Sequence, residues 1–457
     1  MIRTAICADI GSTYTKAALV DLDSGALLAT ASHRTTLDTD IMDGLDAVRA
    51  AVAELSPTAR VEQVLVCSSA GGGLRLAVVG YERAITAEAG HRVGLSAGAR
   101  VVHVAAGRLD RAAVAALLHA TPDVVLLVGG TDGGNTDVLA HNAGQLAVSK
   151  LGCPIVVAGN IEARDSVASV LEHSGKTVIE AANVLPRIGL LDAQPAREAI
   201  RDVFIKHVIG GKGLSSRSAE LARLVRAATP DAVLAGVELL ADGAGDTPGA
   251  GDVLVIDIGG ATTDVYSVVT PDPEEATLRR EVVAAAWRGR TVEGDLGMRW
   301  NAPSVVDAAT KERLLGSDDA AALRSETALR AAEPTYVAPP DDGVDERLAT
   351  LAATIAARRH ARPHVASAGP TGSVRRGGRD LRQVGLVVGS GGVLRHAADE
   401  VGERVMTSVL VDVAGGWRLP EQARVVVDRS YVVAAAGLLS LAGHPTVGAR
   451  LLVAHLC

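Results

Sequence analysis

Aromatic residues are nearly missing from this 457-residue chain: they make up 2% of it, with a single phenylalanine. Its cores must therefore be packed from Ala, Val and Leu, and it has little with which to stack nucleic-acid bases. A net charge of −8 and a pI near 5.9 argue against a nucleic-acid-binding surface. The four cysteines, Cys7, Cys67, Cys153 and Cys457, are scattered and form no Cys-x-x-Cys pair. That offers no zinc or iron–sulfur framework and fits a reducing cytoplasm. No basic, signal-like leader precedes the first strand, and the most apolar late run, residues 431–442, is too short to span a bilayer. What remains is an ordinary globular composition, 48% hydrophobic and 21% charged, with material for two or three domains and a cytoplasmic location expected.

Against this background one stretch stands out, Asp257-Ile-Gly-Gly-Ala-Thr-Thr-Asp264. A β-branched apolar run enters it, a glycine pair and small residues cross it, and a second apolar run leaves: strand, tight turn, returning strand. Gly259, Gly260, Thr262 and Thr263 can close backbone N–H groups and hydroxyls on a phosphate. The flanking Asp257 and Asp264 are acids able to hold a magnesium ion or its water. The chain opens on a counterpart, Asp9-Ile-Gly-Ser-Thr-Tyr-Thr-Lys16, in which Gly11, Ser12 and Thr13 lie between an acid and a lysine. Lysine is scarce here and arginine abundant, so Lys16 on the returning strand is informative as a point charge for phosphate. Either loop alone reads equally as a hairpin turn. Two of them, far apart, suggest halves closing on one nucleotide. A third glycine turn, Gly389-Ser390-Gly391-Gly392, follows a short strand and has no Cβ to keep a purine ring away.

In chain order, residues 3–9, 17–21 and 27–36 read as three strands. A helix follows over 43–55, with Leu45, Val48, Val52 and Leu55 on one face, then a buried strand over 61–67 ending in Ser68-Ser69-Ala70-Gly71-Gly72-Gly73. From about residue 84 the rhythm changes to strand–helix repeats, with strands at 100–105, 124–128, 154–158 and 177–180: a doubly wound insert, any ligand crevice lying at the strands' carboxyl ends. Residues 242–252 are a Gly/Asp/Pro-rich linker. Residues 303–365 read as helical and partly disordered, broken in the middle by Pro334, Pro339, Pro340 and the acids at 341–346. A helix over 430–441, capped by Ser430 and stopped by Gly443 and Pro445, closes the chain. The domains are thus expected at 1–83, 84–241 and 242–457.

Other candidates carry less. Gly175-Lys176-Thr177 has the tail of a phosphate-binding P-loop, but Val170 stands where its first glycine is needed. His360, His364 and His396 read as solvated or lightly packed side chains rather than metal ligands. Glu293 and Asp295 either face a ligand or partner, or form a salt-bridged loop with Arg290 and Arg299. Asp132 and Asn135 are binding candidates or a strand-to-helix turn with its cap.

The loops at 9–16, 257–264 and 389–392 resemble the phosphate-1, phosphate-2 and adenosine motifs of the actin, sugar-kinase and DnaK-type ATPase superfamily. Within it the chain is similar throughout to the GlmL/MutL family of glutamate (methylaspartate) mutase accessory proteins. The matching segments are VLVCSSAGGGLRL (64–76), VVLLVGGTDGGNTD (124–137), CPIVVAGN (153–160), the 183–215 block and RTVEGDLGMR (290–299). The resemblance implies an α/β fold of two actin-like (ribonuclease-H-like) ATPase half-domains carrying the inserted doubly wound domain. It implies ATP and Mg²⁺ as cofactors: Asp9 and Asp257 at the metal, Gly11 to Thr13, Lys16 and Gly259 to Asp264 at the phosphates, and Gly389 to Gly392 at the adenosine. The partners implied are adenosylcobalamin-dependent mutase subunits, not nucleic acid or membrane, with the oligomeric state open. Gly-Gly-Ala-Thr stands where related ATPases often carry Gly-Gly-Gly-Thr, and residues 320–380 hold no family landmark. A small-molecule kinase, an iron–sulfur dehydratase activator, which the lack of paired cysteines disfavours, and a nucleotide-sensing scaffold are the alternatives.

Overall fold

A computed structural model describes residues 2–70, 74–82, 86–96, 99–188, 190–209, 214–270, 288–333, 336, 339, 343–362, 364–369, 372–376 and 379–457. The Gly71-Gly72-Gly73 turn, the breaks at Pro334 and Pro340 and the side chain of His364 lie outside the described residues.

Strands β1 (Ile2–Ile10), β2 (Tyr14–Asp21), β3 (Leu27–Arg34) and β4 (Ala59–Ser68) lead the chain. The insert follows with β5 (Arg75–Gly80), β6 (Arg100–Ala106), β7 (Val124–Leu127), β8 (Ile155–Val157) and β9 (Val178–Glu180), after which β10 (Val225–Ala228) returns to the first sheet. A two-residue ladder, β11 (Gly243–Ala244) and β12 (Thr247–Pro248), precedes β13 (Val253–Ile258), β14 (Thr263–Val268) and β15 (Arg288–Glu293). The hairpin β16 (His364–Gly369) and β17 (Gly372–Arg376) comes next, followed by β18 (Leu386–Ser390) and β19 (Arg424–Val427).

The first sheet has the order β10-β4-β1-β2-β3 and the second β15-β14-β13-β18-β19. Read from its third-wound edge, each is the same object. A leading strand pairs antiparallel with a hairpin partner, which pairs antiparallel with a third strand. On its other side the leading strand runs parallel to a fourth, and the fourth to a fifth. That is the ribonuclease-H-like half-domain used twice, the two-lobed actin-like architecture expected from the motifs. Leading strands with parallel neighbours are covered on both faces, which is why β13 is almost uninterrupted Val, Leu and Ile and β1 is buried from Thr4 to Ile10.

The insert's sheet is wholly parallel, in the order β6-β5-β7-β8-β9. Its boundaries differ from those read from the sequence, 84 and 241. Strand β5 already belongs to the insert's sheet, and β10 pairs back with β4 through Val225↔Val66 and Ala228↔Ser68. The departure falls between β4 and β5, whereas strand–helix rhythm shows itself only after one unit has passed. The helix Thr229–Asp242 then lies outside the insert, packed between the lobes.

Between the lobes, Thr229–Asp242 crosses Val432–Leu441 in a core of Ala, Val and Leu that also includes Cys7 and Cys67. A Cβ added to Gly236 would lie 2.1 Å from the Val433 carbonyl oxygen, and one added to Gly437 would lie 1.8 Å from that of Ala232. Each helix therefore presents its glycine to the partner's backbone one turn away, a reciprocal contact only possible without side chains. The chain does not end at Gly443 as read from sequence: Pro445 sits in the first turn of a further helix, Pro445–Leu456, where its missing N–H costs nothing. The 303–365 region holds the helices Ala302–Lys311, Ser317–Ala332 and Val344–Ala361.

Candidate functional site

Each phosphate-type loop is a hairpin turn closed by its first glycine. The Gly11 amide donates to the Tyr14 carbonyl at 3.0 Å, and that of Gly259 to the Thr262 carbonyl at 2.9 Å. Those two amides are spent. Among the described residues the amides of Ser12, Thr13, Gly260 and Ala261 donate to no protein acceptor, so each turn keeps donors for a ligand. The pairing register then sets the flanking side chains: Asp9 lies opposite Lys16, and Asp257 opposite Asp264.

Asp9 is 4% exposed and fully engaged. It accepts from the Thr229 hydroxyl at 2.5 Å, from the Tyr431 hydroxyl at 3.0 Å and, weakly, from the Cys67 thiol at 3.5 Å. Lys16 makes no hydrogen bond or ion pair among the described residues; its ammonium sits 3.6 Å above the Tyr431 ring. Asp257 likewise has no hydrogen-bond or ion-pair partner among the described residues. Although it keeps some exposure, loss of water around its carboxyl pushes its pKa up to about 6. Lys16 opposes the rise, and Asp264, Asp9 and Asp428 add to it. An acid that costs energy to ionise, held beside three others, is a site that favours a cation.

Two sequence candidates are committed elsewhere. The buried Thr263 donates its hydroxyl to the Leu296 carbonyl at 2.5 Å. Asp264 takes two donors from the buried Arg290, Nε at 2.9 Å and Nη2 at 2.5 Å, and a third from the Thr262 hydroxyl at 3.1 Å. Both tie the second turn to the RTVEGDLGMR segment, which braces it throughout: Met298 and Arg299 amides donate to the Gly259 and Gly260 carbonyls, and the Asn301 amide group to Ala261. Gly297 is what lets the segment come so close, because a Cβ there would fall 2.4 Å from the Ala261 backbone. Gly297→Ala is expected to displace the turn, cost about 2 kcal/mol of stability and weaken nucleotide binding, as denaturant titration and calorimetry would show.

The third glycine turn meets the second. Gly389 and Ser390 end β18, Ser390 pairs with Asp257, and Gly391, at φ +105°, backs onto Ile258 so closely that a Cβ would lie 2.2 Å from its carbonyl oxygen. Gly389, Ser390 and Gly391 are buried and only Gly392 is exposed, so the turn's open face is at its end. Beyond it Arg395 and the exposed His396 approach the cleft; burial, then Arg395 and Lys16, hold the His396 pKa low.

The sequence reading missed Thr229, Tyr431 and Asp428. Asp428 is 1% exposed and accepts from the amides of Val432 and Val433, so it, not Ser430, caps the last interlobe helix. Its carboxyl pKa is raised by burial against those amides. His360 also departs from its reading: it is fully buried, bridging the hydroxyls of Ser267 and Thr291 at 2.8 Å each. Glu293 and Asp295 pair with Arg359, while Arg299 pairs with Asp345. Asp132 accepts from the Ile161 amide and Asn183, and Asn135 from the Val138 amide, which makes both scaffolding of the insert's exposed glycine turn. Among the described residues no helix is long and apolar enough to cross a membrane.

Comparison with known proteins bears on this arrangement. Residues 5–456 match the family described as MutL protein. Protein MutL of Clostridium tetanomorphum is 36% identical over 440 residues, which is 94% of this chain and 95% of that protein. Among solved structures, the xylulose kinase of Lactobacillus acidophilus is 11% identical over 98% of this chain and 92% of its own, with a TM-score of 0.35. The activator of 2-hydroxyisocaproyl-CoA dehydratase from Clostridium difficile, solved with ADPNP, is 11% identical over 96% and 95%, with a TM-score of 0.31. Scores that low carry no argument; the fold rests on the strand orders above. The match spanning nearly the whole chain, together with the curated relative, is decisive: the chain belongs to the MutL protein family.

Proposed function

We propose that this protein binds ATP with Mg²⁺ in the cleft between its lobes and hydrolyses it slowly, as an accessory factor for an adenosylcobalamin-dependent carbon-skeleton mutase such as glutamate mutase. One observation carries the nucleotide reading. Two glycine turns keep unspent amides next to a lysine and a carboxyl that, among the described residues, have no counter-ion and no hydrogen-bond donor respectively. A phosphate chain with a divalent cation supplies what each of these lacks.

In this reading Ser12, Thr13, Gly260 and Ala261 hold phosphate oxygens through their amides, with Lys16 beside them. Gly392 and its turn receive the adenosine. Asp9 and Asp257 would hold the cation, which would supply neutralisation of the phosphate charge. Asp257, ionised once that charge is near, orients the attacking water. The residues thus contribute position and electrostatics, with no covalent step of their own. The mutase half of the proposal rests on family membership and on the shared 124–137, 183–215 and 290–299 segments. In it, ATP-driven movement of the lobes on a bound mutase would open the enzyme and let damaged cofactor leave.

The test is a pull-down of the intact protein from its native cells, followed by elution with MgATP. A cobalamin-dependent mutase released by MgATP supports the proposal; ATP-dependent phosphorylation of a small metabolite by the purified protein would replace it with a kinase.

A further inference from the structure

We propose that Tyr431 is an interlobe latch that nucleotide must displace: one side chain of the second lobe holds both of the first lobe's phosphate-handling groups, Asp9 by its hydroxyl and Lys16 by its ring. The inference rests on the nucleotide reading above and adds to it a reason why binding should move the lobes.

Asp9 and Lys16 stand directly opposite on adjacent antiparallel strands, where an acid and a lysine ordinarily pair with each other. They form no ion pair here. The tyrosine instead gives its proton to Asp9 at 3.0 Å and its ring face to the Lys16 ammonium at 3.6 Å. The first has the length of an ordinary hydroxyl hydrogen bond and the second that of a close cation–π pair.

The tyrosine's own backbone supports a device rather than an accident of packing. Tyr431 has φ 57° and ψ 41°, left-handed values that bulky residues rarely take. The strain is fixed in place by Asp428, whose carboxylate grips the next two amides. The ring is thereby aimed across the interlobe cleft at Asp9 and Lys16, from the start of the helix that carries Gly437 of the reciprocal crossing.

A phosphate drawing Lys16 away leaves the ring without its cation. A cation beside Asp9 competes with the tyrosine's proton for the same carboxylate. Nucleotide and Mg²⁺ together therefore cut both ties between Tyr431 and the first lobe. The free energy of the latched contact is deducted from nucleotide affinity, so weakening the latch tightens binding.

Two variants of the full chain separate the arms. Tyr431→Phe keeps the ring and loses only the hydroxyl; Tyr431→Leu loses both contacts and keeps apolar volume. Calorimetry should give a dissociation constant for MgADP about tenfold lower in Tyr431→Phe than in the parent, the equivalent of one charged hydrogen bond. Without nucleotide, acylation of Lys16 by an amine reagent, followed by peptide mass spectrometry, should be equally slow in the parent and Tyr431→Phe and severalfold faster in Tyr431→Leu. Unchanged or weaker MgADP binding in Tyr431→Phe overturns the latch, as does Lys16 reactivity that ignores the loss of the ring. Should Tyr431→Leu fail to fold, the Phe variant decides alone. A parent protein that binds no nucleotide sinks the underlying reading instead, a result calorimetry on the parent gives before either variant is made.

Discussion

Asp257→Asn should lower the rate of ATP hydrolysis by about 10²–10³, the usual loss when one preorganised electrostatic group is removed from an active site. In the nucleotide-free protein the same change should be stabilising at neutral pH. The folded-state pKa of Asp257, about 6, lies above the 3.8 of the unperturbed side chain. The folded form therefore holds the proton more tightly than the unfolded chain does. The stability this contributes is complete below pH 4 and is lost as pH rises through 6. At pH 7 and above the ionised carboxylate is a burden of about 2–3 kcal/mol at most, by the usual conversion of about 1.4 kcal/mol per pK unit. Asparagine cannot ionise, so thermal unfolding without nucleotide should favour the variant at pH 7.5, with the gap closing near pH 4. Adding MgADP should reverse the order, because the parent then gains a ligand that the variant binds poorly. A variant that hydrolyses ATP at the parental rate, or is less stable at neutral pH, would remove Asp257 from its assigned place.

The second large effect is at the helix crossing. Gly437→Val puts a branched side chain where even a Cβ would be 1.8 Å from the Ala232 carbonyl oxygen, inside backbone that cannot give way. The helices must separate, and with them the lobes, at a cost of about 3 kcal/mol or more. The crossing also sets how Thr229 and Tyr431, at the start of the two helices, meet Asp9. Chemical denaturation should show the loss of stability and calorimetry a weakening of MgADP binding. Gly236→Val should behave in the same way. The double variant should cost clearly less than the sum, since one intrusion already parts the helices that the second would part. Strict additivity would mean that the two glycines do not serve one contact.

The two glycine hairpin turns could be read from the sequence because their signal is local: acid, glycine, small polar residues and a returning strand occupy eight positions, and hairpin register does the rest. The insert was readable by rhythm, though its first strand and its exit were not, since a single strand carries no period. Tyr431 and Thr229 were out of reach for another reason. They meet Asp9 across separations of 422 and 220 residues, and nothing in their own neighbourhoods refers to it. Asp264 shows a subtler limit. An acid at a strand edge announces charge, but only the strand order reveals that Arg290 on β15 consumes it. His360 was misread for the same reason, its polarity suggesting water where two hydroxyls of the second sheet were waiting.

Those separations also order events in time. Asp9 is made well before its partners, and its sheet stays open on one side until β10 has been made, with the whole insert in between. Its last hydrogen-bond donor, Tyr431, arrives later still, after the second lobe's sheet is complete. During synthesis the nascent first lobe can therefore bury its apolar residues before the partners of Asp9 are in place. On the proposed reading, nucleotide would therefore meet a finished site only after Tyr431 has been made.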